Sequence, residues 1–138
     1  MGGTGIPDAG RGVRLIRLDA HAWADARGWG LRPFQAAGSE VAHVGDVHVV
    51  SFLPGAVRGN HRHPNVTEWL LLLGAPVTVA WREPDGTEER LRVEGDEPVL
   101  LELPPGTPHA LRGEGPGPAY LVSWADGVPE TEQVPPLL

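Results

Sequence analysis

The sequence predicts an all-β fold, and three observations support this prediction. The chain has 138 residues, 41% of them hydrophobic, which is the usual size of one domain with a buried core. Its apolar residues fall in short runs that alternate with polar residues, as in half-buried strands. The 19 glycines and 15 prolines lie between these runs, where turns are expected. About seven or eight strands joined by short turns indicate a sandwich or a closed barrel.

The predicted elements follow one another in chain order. Asp85-Gly86 between two alternating runs is typical of a hairpin turn. Residues 19–26 are the one stretch compatible with a short helix. We expect residues 1–12 to be flexible, 13–128 to form the domain, and 129–138 to be a poorly ordered C-terminal tail, unless an oligomer holds these two ends in place. The predicted strands are 13–18, 47–53, 67–73, 77–83, 89–94, 98–104 and 119–125.

The run TEWLLLL, residues 67–73, is apolar on both faces. Successive side chains of a strand point to opposite sides, so Trp69 and Leu71 face away from Leu70 and Leu72. A small barrel has only one interior, so the outer face must be covered by another segment or by a second subunit. This pattern favours a homodimer.

The composition excludes several classes of function. The net charge is −7, and an acidic surface disfavours nucleic-acid binding, which relies on a basic footprint. All 11 basic residues are arginines, so no lysine is present to form a Schiff base. The absence of cysteine excludes disulfides and thiolate metal sites. Because no apolar run reaches the ~18 residues of a membrane span and no signal pattern is present, we expect a soluble, cytoplasmic protein without a membrane partner.

Three histidines and one glutamate form a candidate metal site. His61 and His63 are two residues apart and would share one face of a strand. A proline then bends the chain, so that Glu68 returns to the same cavity. The rigid turn LPPGTPH places His109 as the fourth partner. Three neutral imidazoles and one carboxylate suit a divalent transition metal and leave positions open for water or substrate.

Residue types alone do not select the metal. Zinc is favoured, and manganese, iron and nickel are compatible with the same ligands. His21, His43 and His48 have no comparable neighbours in the sequence, and we interpret them as structural residues of the core or the surface.

The two histidine-containing stretches resemble the two motifs of the cupins. GAVRGNHRHPNVTEWLLLLG matches the pattern Gly-x5-His-x-His-x4-Glu-x5-Gly of the first motif, and LPPGTPHALRG is similar to the Pro-x-Gly-x-x-His core of the second. The resemblance covers roughly residues 47–124. It implies a cupin domain with a double-stranded β-helix, a jelly-roll barrel that holds the metal inside one end. It also implies the ligands His61, His63, Glu68 and His109.

A narrower resemblance concerns enzymes of sugar metabolism. RGNHRH is similar to the Arg-Gly-x-His signature of cupins that epimerise or isomerise nucleotide-linked keto sugars, and DARGW, residues 25–29, is similar to a stretch near their start. RGNHRH with TEW looks most like the zinc-binding cupin domain of capsular-polysaccharide sugar-modifying enzymes. In metal-free members of this group the first-motif histidines are catalytic bases, which leaves two roles for His61 and His63. The presence of Glu68 and His109 favours metal ligation.

The resemblance favours an epimerase or isomerase that acts next to a carbonyl of a small-molecule substrate, such as a sugar nucleotide. This chemistry needs a base with a pKa near neutrality and an electrophile for the enolate. Arg58 is a candidate to hold a phosphate or the enolate oxygen, and His61 is a candidate base. Tyr120 is a candidate proton donor, although a tyrosine packed in a strand is more common. Stacking on a sugar or base is a candidate role for Trp69, Trp81 and Trp124, although simple core packing is more common for Trp81 and Trp124.

Two other functions fit the same residues. The four ligands would also serve an iron- or manganese-dependent dioxygenase, because residue type does not fix the metal. A non-catalytic cupin that binds a small molecule in its barrel is the third possibility.

Overall fold

Strands make up most of the structure, which a computed structural model describes for residues 12–19, 22–37, 43–97 and 99–138. Within these ranges the chain forms twelve β-strands and one short helix, α1 (Pro33–Ala37). The strands are β1 (Arg14–Arg17), β2 (Ala22–Asp25), β3 (Gly28–Leu31), β4 (Asp46–Phe52), β5 (Val57–Arg62), β6 (Glu68–Gly74), β7 (Val77–Arg82), β8 (Glu88–Val93), β9 (Val99–Leu103), β10 (His109–Gly113), β11 (Ala119–Ala125) and β12 (Glu132–Gln133).

Two five-stranded antiparallel sheets form the body of the protein. The first has the strand order β1-β9-β6-β11-β4, and the second has the order β12-β5-β10-β7-β8. β2 and β3 pair in a separate hairpin. Neighbours within each sheet are mostly distant in sequence, as in a jelly roll. The predicted all-β class is therefore confirmed.

The space between the two sheets holds the main hydrophobic core. Phe52, Leu70 and Leu101 enter it from the first sheet, and Val79 and Leu111 enter it from the second. These side chains are at most 3% exposed. Burial of each one stabilises the fold by ~1.5–3 kcal/mol. Leu70 and Leu111 also line the cavity described below, so the core continues directly into the candidate site.

The outer face of β6 is covered by the chain itself. Trp69 and Leu71 are 2% and 4% exposed and belong to a second apolar cluster together with Trp124. Leu31 packs against this cluster, and the ring of Phe34 in α1 lies 4.9 Å from that of Trp124. The prediction that this face needs a cover is correct, but a second subunit is not required to provide it.

The predicted strands agree closely with the structure, whereas the predicted helix does not. Each strand end lies within one residue of its predicted position, with Pro98 outside the described residues. The prediction of a helix over 19–26 is wrong, because Ala22–Asp25 is the strand β2. The chain turns after β2 and continues into β3, whose first residue, Gly28, has a φ of 133°. Strand pairing here overrides the helix propensity of the alanines. The helix α1 has five residues and begins at a proline. No helix in the described ranges is long and apolar enough to cross a membrane.

Residues 129–138, which were expected to be poorly ordered, are tied to the second sheet. β12 pairs with β5, and Leu137 is 4% exposed in a cluster with Ala80 and Ala110. The expectation of a loose tail is therefore corrected by a buried anchor near its end. Of the N-terminal stretch 1–12, only Gly12 lies within the described residues, and His21 lies outside them.

Candidate active site

A β-bulge in β5 brings His61 opposite His109. Gly59 and Asn60 have φ angles of 97° and 56°, which glycine adopts freely and asparagine tolerates. The pairing with β10 changes here from Gly59 opposite Ala110 to His61 opposite His109, which leaves one extra residue in β5. A Cβ atom on Gly59 would lie 2.9 Å from the carbonyl oxygen of His109. The close approach of β10 therefore requires glycine at this position.

The three histidines of the two motifs form one cluster. One ring nitrogen from each of His61, His63 and His109 lies within 4.8 Å of the other two. The ring centroid of His61 is 4.6 Å from that of His63 and 4.8 Å from that of His109. The structure thus brings together the three histidines that the sequence analysis assigned to one site.

Backbone carbonyl groups orient two of these rings. Nδ1 of His63 lies 2.9 Å from the carbonyl oxygen of Glu130, and Nδ1 of His109 lies 2.9 Å from that of Thr107. A carbonyl oxygen only accepts hydrogen bonds, so each Nδ1 carries the proton and donates it. When such a ring is neutral, its Nε2 has a free lone pair. This arrangement is typical of histidines that bind a metal.

Glu68 contacts two of the three histidines. Its Oε1 lies 3.7 Å from Nε2 of His63 and 3.5 Å from Nε2 of His109, and its Oε2 accepts a hydrogen bond of 2.8 Å from Ser123. Oε1 is buried and has no hydrogen-bond partner among the described residues. An unpaired buried polar atom costs ~1–3 kcal/mol, and a charged one costs more. A divalent cation held by the histidines would satisfy this oxygen, so the four residues fit such a metal.

Burial keeps the imidazoles of His61 and His109 neutral. Desolvation lowers the pKa of His109 to about 4, against the opposing effect of the hydrogen bond to Thr107. Desolvation, followed by the charges of His109 and His63, lowers the pKa of His61 to about 4. Both rings are therefore unprotonated at neutral pH. A metal ligand requires this state, and so does a catalytic base.

Arg58 lies on the wall of a cavity of about 190 Å³ that also includes the histidine cluster and Glu68. Its Nε donates a hydrogen bond of 3.0 Å to the carbonyl oxygen of Ser51, and its guanidinium carbon lies 5.6 Å from the centre of the Phe52 ring. These two contacts hold the guanidinium at the cavity. The bulge also matters, because without an extra residue Arg58 and His61 would lie on opposite faces of β5.

His48 is a site residue that the sequence analysis missed. It lies on β4 and lines the same cavity, with its Nδ1 3.9 Å from Oδ2 of Asp46. Its cross-strand partner on β11 is Ser123, the residue that donates a hydrogen bond to Glu68. This position makes His48 a further candidate site residue, although the sequence analysis interpreted it as structural. The sequence shows that His48 and Val50 share one face of the predicted strand 47–53, but it does not show that this face turns toward the cavity.

The candidate role of Tyr120 is not supported by its position. Leu121 lines the cavity and Ser123 contacts Glu68, so Tyr120 points from β11 to the opposite face, where it is 43% exposed. The structure therefore contradicts its prediction as a proton donor. His43 is exposed and does not line the cavity.

None of the three tryptophans proposed to stack on a substrate lines the cavity. Trp69 and Trp124 stack on each other in the outer cluster, with ring centroids 6.3 Å apart and planes 12° apart. Trp81 is partly buried and donates a hydrogen bond to Glu83. The core role that the sequence analysis weighed for Trp81 and Trp124 agrees with their packing in the two apolar clusters, and Trp69 is also buried in the outer one.

A larger apolar cavity of about 650 Å³ lies between the β2–β3 hairpin and the end of β6. Trp23, Trp29 and Leu73 line it, and it shares no lining residue with the histidine cavity. Residues 25–29, the stretch DARGW, form the tip of this hairpin, where Arg27 and Asp25 make an ion pair of 2.6 Å. Asp96 is the one ionisable residue lining the larger cavity among the described residues. Because titratable groups converge in the smaller cavity, we place the chemistry there.

The same two-sheet architecture occurs in solved proteins of sugar metabolism, although no protein-family model and no curated protein matches the chain. A 3'-monoepimerase from Streptomyces bikiniensis in complex with dTDP-quinovose has a TM-score of 0.78 and 19% identity, over 91% of this chain and 71% of that one. A mutant 3,4-ketoisomerase from Thermoanaerobacterium thermosaccharolyticum, in complex with TDP-4-keto-6-deoxyglucose, has a TM-score of 0.69 and 17% identity, over 88% and 86%.

The capsular polysaccharide assembling protein CapF from Staphylococcus aureus has a TM-score of 0.61 and 22% identity over 67% of this chain. The aligned region is 29% of that protein, so the present chain spans a minor part of its length. These similarities, at low identity, establish the fold. The chain has the cupin fold, a double-stranded β-helix, as its two motifs predicted.

Proposed function

We propose that this protein is a metal-dependent epimerase or isomerase that moves a proton next to the ketone of a nucleotide-linked sugar. One observation carries this proposal: three histidines and a carboxylate with an unpaired oxygen converge on a cavity that also contains Arg58 and His48. The substrate class rests on analogy with enzymes of the same fold whose structures contain dTDP-linked sugars.

His61, His63, Glu68 and His109 would hold one divalent metal, for which zinc is favoured. When bound, the metal would polarise the sugar carbonyl and stabilise the enolate that forms. The carboxylate of Glu68 offsets one of the two positive charges and makes burial of the ion less costly. The hydrogen bond from Ser123 to Oε2 leaves Oε1 directed toward the histidines.

His48 is the residue that we assign to proton transfer. In a metal-bound site the lone pairs of His61 and His63 are engaged, so a base from outside the ligand set is needed. Nε2 of His48 would take the proton from the carbon next to the ketone, and the nearby Asp46 would stabilise the resulting imidazolium. Delivery of a proton from solvent to the opposite face of that carbon gives an epimer, and His48 then loses its proton to solvent. Transfer of the proton to the former carbonyl carbon, with the adjacent hydroxyl proton passing to the former carbonyl oxygen, gives a keto isomer.

Arg58 would bind the enolate oxygen or a phosphate through its Nη donors, because its Nε already donates a hydrogen bond to the carbonyl oxygen of Ser51. The cavity of about 190 Å³ is smaller than the ~300–1,000 Å³ of ordinary ligand pockets. It therefore suits a single sugar ring, with the nucleotide outside it.

Chelator titration of the purified protein beside His109→Ala tests metal binding. Loss of an imidazole ligand should weaken Zn²⁺ binding by more than the ~10–100-fold typical of outer-shell partners. Circular dichroism should remain β-type, and exposed His43→Ala should bind Zn²⁺ like wild type. If the wild type and His109→Ala retain Zn²⁺ equally, or neither binds it, the ligand assignment is wrong. His61 and His63 would then be acid–base groups of a metal-free isomerase.

Deuterium exchange from D₂O into TDP-4-keto-6-deoxyglucose tests the reaction. Proton NMR should show exchange at a carbon next to the ketone in the presence of wild-type protein. His48→Ala should reduce the exchange rate by ~10²–10⁴-fold without changing Zn²⁺ binding, because His48 is not a ligand. His43→Ala should keep both. Oxygen consumption without exchange would instead indicate a dioxygenase.

A further inference from the structure

The C-terminal segment, residues 128–138, lies along the strand that carries His61. β12 pairs with β5, with Glu132 opposite Arg62 and Gln133 opposite His61. The amide of Val134 donates a hydrogen bond of 3.1 Å to the carbonyl oxygen of Asn60. β5 would be an edge strand of its sheet without this segment. The segment therefore completes the sheet at the histidine cluster.

This segment also supplies the partner that orients His63. Nδ1 of His63 lies 2.9 Å from the carbonyl oxygen of Glu130 and 3.2 Å from Oγ1 of Thr131. The rings of His63 and His109 are therefore oriented by different kinds of contact. His109 bonds to Thr107 in its own turn, whereas the partner of His63 lies 67 residues away in the chain.

Asn65 holds Glu130 in the position that this contact needs. Its Oδ1 accepts a hydrogen bond of 2.8 Å from the amide of Glu130, and its Nδ2 donates one of 3.0 Å to the carbonyl oxygen of Val128. Asn65 follows His63 closely in sequence. One side chain thus ties the loop after β5 to the segment that orients the histidine.

The far end of the segment is anchored at the bulge of β5. Asn60 accepts a hydrogen bond of 2.7 Å from the amide of Leu137, and its Nδ2 donates one of 3.2 Å to the carbonyl oxygen of Leu138. The side chain of Leu137 is buried. Nη2 of Arg90 donates a hydrogen bond of 3.1 Å to the backbone carbonyl oxygen of Leu137. Both ends of the segment are therefore fixed to the strand and loop that carry His61 and His63.

We infer that residues 128–138 are part of the metal centre and that Asn65 is a positioning residue, which acts on His63 through the carbonyl group of Glu130. This inference rests on the metal site of the proposed function. Docking of the segment keeps the proton on Nδ1 and directs the lone pair of Nε2 to the metal. Because coupling between two binding events is reciprocal, bound metal must in turn hold the segment in place.

Asn65→Ala in the full chain tests the inference, with His43→Ala as the control because that ring is exposed and does not line the cavity. Asn65→Ala should weaken Zn²⁺ binding by ~10–100-fold in chelator competition and change the absorption spectrum of bound Co²⁺. His43→Ala should do neither. In the metal-free protein, ¹⁵N NMR should show His63 wholly as the Nδ1-protonated tautomer in wild type and as a mixture in Asn65→Ala.

Hydrogen exchange of the wild-type chain gives a second measurement that needs no variant. Zn²⁺ should slow amide exchange in residues 129–138. Unchanged Zn²⁺ affinity and an unchanged His63 tautomer in Asn65→Ala would overturn the inference. An amide exchange rate in this segment that is the same with and without Zn²⁺ would also overturn it. If wild type binds no Zn²⁺ but His63 is still a mixture of tautomers in Asn65→Ala, the positioning role of Asn65 is supported and the metal-dependent function is refuted.

Discussion

His61 and His109 are neutral because burial disfavours the imidazolium form of each ring. The folded pKa of each is about 4, whereas the ordinary value is 6.5. Between these two values the unfolded chain binds more protons than the folded one. Stability is therefore lost as the pH falls through this window and is fully present above it.

We expect the metal-free protein to lose stability on going from pH 6.5 to about 4. Urea midpoints, measured across this range with a chelator present, check the expectation. His109→Asn lacks one of the two groups, so its midpoint should depend less steeply on pH. His43→Ala should follow the wild-type profile, because that ring is exposed. A His109→Asn profile as steep as that of wild type would contradict the assignment.

The grouping of the histidines could be predicted at the residue scale, because local geometry fixes much of it. His61 and His63 are close in sequence, and a proline-rich turn limits where His109 can lie. The roles of His48 and Tyr120 could not be predicted in this way. They depend on which faces of β4 and β11 turn inward, and packing between the two sheets decides that.

At the scale of elements, the two strands that carry the site, β5 and β10, were absent from the predicted strands. Their sequences, VRGNHR and HALRG, contain glycine, arginine, asparagine and histidine where β-branched residues would mark a strand. They form because β10 pairs on both sides, with β5 and β7. The anchoring of the tail escaped prediction for a similar reason, since Leu137 meets Ala80 and Ala110 only through the tertiary fold. In β5 and β10, residues of the candidate site occupy positions where residues with high β propensity would otherwise indicate a strand.

Gly59→Ala tests the bulge against a matched control, Gly55→Ala. Both glycines have positive φ angles, 97° and 83°, so alanine should cost ~1–3 kcal/mol at either position. An added Cβ meets nothing within 4 Å at Gly55, but at Gly59 it would lie 3.0 Å or less from His109 and Ala110. Gly59→Ala should therefore destabilise the protein more and weaken Zn²⁺ binding, because β10 must move.

Urea unfolding and chelator competition measure these two effects. Gly55→Ala should keep the wild-type affinity for Zn²⁺, since its strain lies outside the site. Equal losses of stability and affinity in the two variants would show that the bulge does not position the cluster.

For the whole molecule, the remaining exposed apolar surface indicates where a second copy would bind. β4 is the last strand of its sheet among the described strands. Val47 and Val49 are 56% and 65% exposed on its outer face, beside Tyr120 on β11 at 43%. Phe34, 46% exposed, packs on Trp124, the cross-strand partner of Val47. These residues form one apolar patch along an open sheet edge, a surface that proteins usually cover.

We therefore expect a homodimer through the β4 patch, and not through the outer face of β6 that first suggested one. A twofold contact would place the patch of each copy against its equivalent. Val49→Asp should place a charge in this interface and give a monomer by light scattering at tens of micromolar, with an unchanged circular-dichroism spectrum. Val128→Asp adds the same charge at a side chain that is 74% exposed and lies outside the patch, so it should remain a dimer. A monomeric mass for the wild-type protein at this concentration would refute the dimer, and a dimeric Val49→Asp would refute its location.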